Sequence, residues 1–234
     1  MIKAVVFDLD NTLVDFMAMK RQAIDAAIQS MIDAGLELDA DQVSARIDAI
    51  YKERGIEFQN VFDQLLYDVF QKVDYKILSA GIIAYRRARE AALVPYPHVT
   101  MTLVELLKRG VKLAVVSDAP GREAWLRLCS LNYHHLFDVV VTFDDIGELK
   151  PSPRPFLRAL SLLQVAPSEA LMVGDWPERD VVGAATVGMT TVFARYGDTF
   201  GVIHSNAQYD INDISEILAI VDRENGRHPD AEKS

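Results

Sequence analysis

Two textures of hydrophobic patterning divide this chain. From about Phe16 to Ala92, apolar residues recur at helical spacing: Ile24, Ile28 and Met31, then Val43, Ile47 and Ile50. Phe62, Leu65, Leu66, Val69 and Phe70 form a wider stripe. Gly35 and Gly55 read as helix stops and Asp39 as an N-cap. A fourth helix is predicted from about Tyr75 to Ala91, weakened by Gly81. No strand pattern interrupts this block.

Elsewhere, short β-rich runs alternate with amphipathic segments. Strands are predicted at Ile2–Phe7, Lys112–Val116, Val139–Phe143, Leu171–Val173 and Thr190–Phe193. Helical patterns fall at about 98–109, 121–131, 153–163 and 178–187, and Ser152-Pro153 fits an N-cap followed by a first-turn proline. Strands apolar on both faces and separated by helices indicate a parallel sheet covered on both sides, an α/β fold of Rossmann-like type. Its two parts, 1–15 and 93–222, flank an inserted all-helical cap, 16–92, and Pro95 and Pro97 stiffen the second joint. The polar stretch 223–234 reads as a flexible tail.

Half of the 234 residues are hydrophobic, ample for a core. The net charge of −10 argues against a nucleic-acid partner, which calls for a basic footprint, and reads as solubility. Cys129 is the sole cysteine, so no disulfide framework or cysteine metal site is expected, and its apolar surroundings make it core filler. No apolar run reaches the ~18 residues of a membrane span, and Asp8 interrupts the N-terminal run before it resembles a signal peptide. The expectation is a cytoplasmic protein, a monomer or homodimer.

The candidate chemistry lies at the strand ends. The first strand runs into Asp8-Leu9-Asp10-Asn11-Thr12, the second into Ser117-Asp118 and the fourth into Gly174-Asp175, with Asp180 five residues on. The third is followed by Leu149-Lys150-Pro151. Ligands of open α/β sheets bind beyond the carboxyl ends of the strands, so these clusters converge on one edge.

In these four signatures the chain resembles the haloacid dehalogenase superfamily, on its phosphatase branch with a helical cap. Glu169 to Gly197 is similar to phosphoglycolate-phosphatase-like members and to small archaeal-type magnesium-dependent phosphatases. The resemblance implies hydrolysis of a small phosphorylated metabolite through an aspartyl-phosphate. Asp8 is then the nucleophile, and Asp10 the acid that protonates the leaving oxygen and the base that activates water. Asp8, Asp175 and the Asp10 carbonyl would hold Mg2+, with Asp180 as a further ligand or an orienter of ligands. Lys150 and Ser117 would bind the phosphoryl group together with backbone N–H groups near Leu9, Asp10 and Asp118. Thr12 would brace the loop.

Asp118 and Trp176 depart from the common pattern of Asn or Gly, and of a small residue, at these positions. Asp144-Asp145 reads as a solvated loop. The cap would read the leaving group, with Phe16, Met17, Arg21, Arg54, Arg86 and Arg87 as candidates. Two alternatives remain open: a phosphomutase of the same family, or a non-enzymatic binding protein for a phosphorylated ligand. Asp10 and Asp175 argue against dehalogenation, which needs neither a metal nor a leaving-group acid.

Overall fold

The computed structural model describes residues 1–226. The chain forms two compact units, Phe16–Val94 and, discontinuously, Met1–Asp15 with the chain from Pro95 onward.

The helical unit contains α1 (Phe16–Asp33), α2 (Ala40–Arg54), α3 (Val61–Phe70) and α4 (Tyr75–Ala92). Its core is the set of stripes visible in the sequence, Met31, Ile47, Leu65, Leu66 and their neighbours, all buried. The Asp39 carboxylate accepts from Gln42 N at 2.8 Å and the Gln42 side chain returns to Asp39 N, a reciprocal cap that starts α2. Gly81 is more than a weak spot in α4: a Cβ there would lie 2.6 Å from Met31 Cγ, so the missing side chain is what lets α1 and α4 approach.

The α/β unit has a six-stranded parallel sheet in the order β3-β2-β1-β4-β5-β6. Its strands are β1 (Ala4–Phe7), β2 (Lys112–Val116), β3 (Val139–Val141), β4 (Ala170–Gly174), β5 (Thr190–Ala194) and β6 (Tyr209–Ile211). The helices are α5 (Val99–Lys108), α6 (Gly121–Ser130), α7 (Phe143–Ile146), α8 (Pro153–Leu163), α9 (Val182–Val187) and α10 (Glu216–Glu224). β1 lies between β2 and β4, and the order of strands reverses there, which makes it the switch point where open sheets bind ligands. Val14 bridges to Pro95 and Tyr96 N donates to Leu13 O at 3.1 Å, tying together the two segments that leave this unit.

Several expectations are corrected. β3 stops at Val141 because Thr142 caps α7: Asp145 accepts from both Thr142 N and Thr142 Oγ1 at 2.7 Å. Asp144 accepts from Gly121 N at 2.9 Å, so this acidic pair, exposed to solvent as expected, lies in a short helix and caps two helix starts rather than forming a loop. The predicted helix 178–187 opens instead with a π-helical turn, Pro177–Val181, before α9. Neither β6 nor α10 was expected: β6 is three residues long, and the helical spacing of Ile217, Ile220 and Val221 in α10 was not read. Residues 223–226 are not a frayed tail: α10 runs to Glu224 and the Asn225 side chain donates to Ile2 O at 3.1 Å. Residues 227–234 of the predicted tail lie outside the described residues. Cys129 is exposed, because the inward face of α6 is Glu123, Ala124, Arg127 and Leu128.

Candidate active site

The carboxyl ends of β1, β2 and β4 bring the predicted residues together. Asp8 N donates to Val173 O at 2.9 Å, extending the β1–β4 ladder one residue so that the Asp8 side chain emerges at its end. Leu9 O then accepts from Leu13 N and Val14 N at 3.0 and 3.3 Å, closing the loop that carries Asp10. Thr12 is fully buried and donates to Asp175 Oδ1 at 3.2 Å, so it braces β4's acid against the β1 loop. Tyr196 Oη donates to Thr12 O at 2.9 Å. Gly197 is dictated by the same crowding, since a Cβ there would lie 1.6 Å from Asn11 O.

Lys150 is the hub. Its buried ammonium donates to Asp8 Oδ1, to Asp180 Oδ1 at 2.7 Å and to Val116 O at 3.1 Å. Burial disfavours its charge, but Asp180, Asp8 and Asp118 together outweigh that and hold it above the ordinary lysine range. The π turn explains how Asp180 arrives here. Asp180 N donates to Trp176 O at 2.7 Å, and the carboxylate folds back over Gly174 to accept from Trp176 N at 3.1 Å. A Cβ on Gly174 would lie 2.2 Å from Asp180 Oδ2.

Carboxylate oxygens of Asp8, Asp175 and Asp180 lie within 4.8 Å of one another, all on buried residues. Fully ionised beside one ammonium, they would carry two net negative charges in a buried site, which favours retention of protons on the acids. Burial, then the neighbouring carboxylates Asp180 and Asp10, pushes Asp8 up to about 7 against the pull of Lys150. Burial, then Asp8 and Asp180, pushes Asp175 up to about 9. Three hard oxygen donors with this charge deficit could hold a divalent metal ion of the magnesium type.

The remaining expected residues take distinct places. The Ser117 hydroxyl is buried and accepts from Ala119 N at 3.1 Å, which leaves its proton available for a ligand oxygen. The Asp118 carboxylate is occupied by the protein, accepting from Lys150 N at 2.8 Å and Arg179 Nη1 at 2.9 Å. Arg179 in turn stacks over Trp176 at 3.8 Å from the ring centre, and Trp176 packs on Phe200. The two departures from the common pattern are thus one assembly that anchors the Lys150 loop. In the helical unit, Phe16 is buried, whereas Arg21, Arg54, Arg86 and Arg87 are exposed.

Sequence reasoning missed Arg127. It projects from the inward face of α6 and its Nη1 lies 3.0 Å from Asp10 Oδ2, with 7% and 21% of the two side chains exposed. A charged residue in an amphipathic pattern reads as solvated, and only the i, i+4 position behind Glu123 hints that it faces inward.

A buried acid cluster gripped by one lysine thus sits at the switch point of a parallel sheet. The family model for haloacid dehalogenase-like hydrolase matches residues 2–188, and the chain belongs to that family. It is 36% identical to glyceraldehyde 3-phosphate phosphatase of Methanocaldococcus jannaschii, over 94% of this chain and 97% of that one. It is 38% identical to glyceraldehyde 3-phosphate phosphatase of Methanopyrus kandleri, over 84% and 85%. Among solved structures, the HAD phosphatase from Thermococcus onnurineus superposes with a TM-score of 0.70 at 29% identity, covering 94% of this chain and 98% of that one. Among the described residues no helix is long and apolar enough to cross a membrane.

Proposed function

We propose that the chain is a magnesium-dependent phosphatase acting on a small phosphorylated metabolite through an aspartyl-phosphate on Asp8. The observation that carries this reading is the grip of Lys150 on Asp8 and Asp180 beside Asp175, at the end of the central strand. Asp8, Asp175 and the Asp10 carbonyl would hold the ion, with Asp180 a ligand or an orienter. Bound there, magnesium supplies positive charge that offsets a phosphate dianion among carboxylates.

A carboxylate oxygen of Asp8 forms a bond to phosphorus as the bond to the leaving oxygen breaks, and Asp10 gives its proton to that oxygen. Asp10 then takes a proton from water, whose oxygen attacks phosphorus and releases Asp8 and inorganic phosphate. Lys150, the Ser117 hydroxyl and backbone N–H groups near Leu9 and Asp118 bind the phosphoryl oxygens. The Asp118 side chain is an acceptor, taken up by Lys150 N and Arg179. The relatives' names support a three-carbon sugar phosphate as substrate.

The test is phosphate release from a panel containing glyceraldehyde 3-phosphate, with magnesium or chelator, for wild type and Asp8→Asn. Release that needs both magnesium and Asp8 supports the reading. Release that survives chelation or Asp8→Asn sinks it.

A further inference from the structure

Arg127 forms a buried ion pair with Asp10 from the inward face of α6. A fully buried arginine is uncommon and expensive to desolvate, so α6 commits a guanidinium to this spot at a cost that an apolar residue would avoid. Its neighbours on the inward face are Glu123, one turn earlier, and the apolar Ala124 and Leu128. The guanidinium lies at ion-pair distance from Asp10, whereas Lys150 bonds Asp8 and Asp180 and Thr12 bonds Asp175.

We propose that Arg127 is the positioning residue of Asp10, fixing the carboxyl group by Oδ2 so that Oδ1 is the oxygen that carries the proton. This rests on the phosphatase reading above. In the first half-reaction the proton moves from Asp10 Oδ1 to the leaving oxygen as the phosphorus–oxygen bond breaks. In the second it returns to Oδ1 from the attacking water. A carboxyl group needs one oxygen for this exchange, and anchoring the other removes the rotation that would carry the proton out of line. Arg127 touches neither substrate nor the reacting atoms; it acts through Asp10.

The dependence on leaving group separates this role from a structural one. An alkoxide leaving group needs a proton, whereas a nitrophenolate departs without one. Single-turnover phosphorylation of Arg127→Ala, Arg127→Gln and Arg127→Lys is compared with wild type on glyceraldehyde 3-phosphate and on p-nitrophenyl phosphate. General acid catalysis contributes roughly 10²–10⁴-fold, so Arg127→Ala is expected to lose about tenfold or more on the alkyl phosphate, with KM nearly unchanged. The loss on the aryl phosphate is expected to be several-fold smaller, and Arg127→Lys to recover most of the rate. In an Asp10→Asn background, Arg127→Ala adds little. Equal losses on both substrates, or losses additive with Asp10→Asn, overturn the proposal. Should Arg127→Ala fail to fold, the glutamine and lysine variants carry the same comparison. A wild type that releases no phosphate from either compound defeats the phosphatase reading itself, a result distinct from any difference among the Arg127 variants.

Discussion

The helical unit and the α/β unit treat buried polarity in opposite ways. In Phe16–Val94, among the described residues, Lys20 is the one buried charged side chain. Its ammonium donates to Ile56 O at 3.0 Å and lies 4.6 Å from the centre of the Tyr51 ring, so it is satisfied locally. In the α/β unit, Asp8, Ser117, Glu123, Arg127, Lys150, Asp175 and Asp180 are all buried, and most of them cluster at one edge of the sheet. Burying a charge is costly unless it is paired, and three carboxylates share a single lysine here. One unit is packed for stability; the other carries a charge imbalance whose purpose is chemistry.

Asp8→Asn attacks this contrast hardest. It should lower phosphate release on the order of 10⁴-fold or more while leaving the metal-free melting temperature equal or higher, because a repelled carboxylate is gone. Stopped assays and a thermal melt read both. Lys150→Met should cost about 3–5 kcal/mol by stranding buried carboxylates, together with activity. In the helical unit, Leu65→Ala should cost a comparable about 2–5 kcal/mol through an ordinary cavity, which denaturant unfolding measures. Gly81→Ala should cost about 1–3 kcal/mol by forcing Met31 off α4, again a packing effect alone.

The smallest effect sharpens the comparison by charge. Folded Asp8 and Asp175 hold protons up to about 7 and about 9, whereas the unfolded chain releases them near the ordinary aspartate value of 3.8. Folding therefore takes up protons across that window, and metal-free stability falls as pH rises from about 4 to 9. Magnesium should raise the melting temperature most at the alkaline end and flatten the profile. Asp175→Asn should abolish most of that rise. A flat metal-free profile, with wild type and variant alike in magnesium, would remove the basis for a strained acid cluster.

What could be read from the sequence follows from how local each cue is. β2 and α8 match their predicted spans because a continuous apolar run and a Ser-Pro start are local. Asp8 and Asp175 could be found because strand ends are marked by an abrupt change from apolar to acidic; Lys150 follows no such break and was legible only from its register with the other signatures. β6 is held by long-range partners, such as Arg195 bonding Asp210 at 2.9 Å, and has no pattern of its own. The committed state of Asp118 and the buried state of Arg127 depend on which charges the fold brings face to face, and spacing along one chain does not encode that. Cys129 was misplaced for the same reason: the face of α6 turned inward carries Glu123, Ala124, Arg127 and Leu128, which leaves Cys129 outside.

The central position of β1 also has a consequence on the ribosome. Ala4–Phe7 is made well before its two sheet partners, which end at Val116 and Gly174. At about 5–20 residues per second, this wholly apolar strand waits roughly 10–30 s for its second neighbour. The helical unit is complete well before that. The nascent chain thus carries a finished bundle beside an orphan strand, and delay in translation between residues 95 and 174 should expose that strand to chaperones.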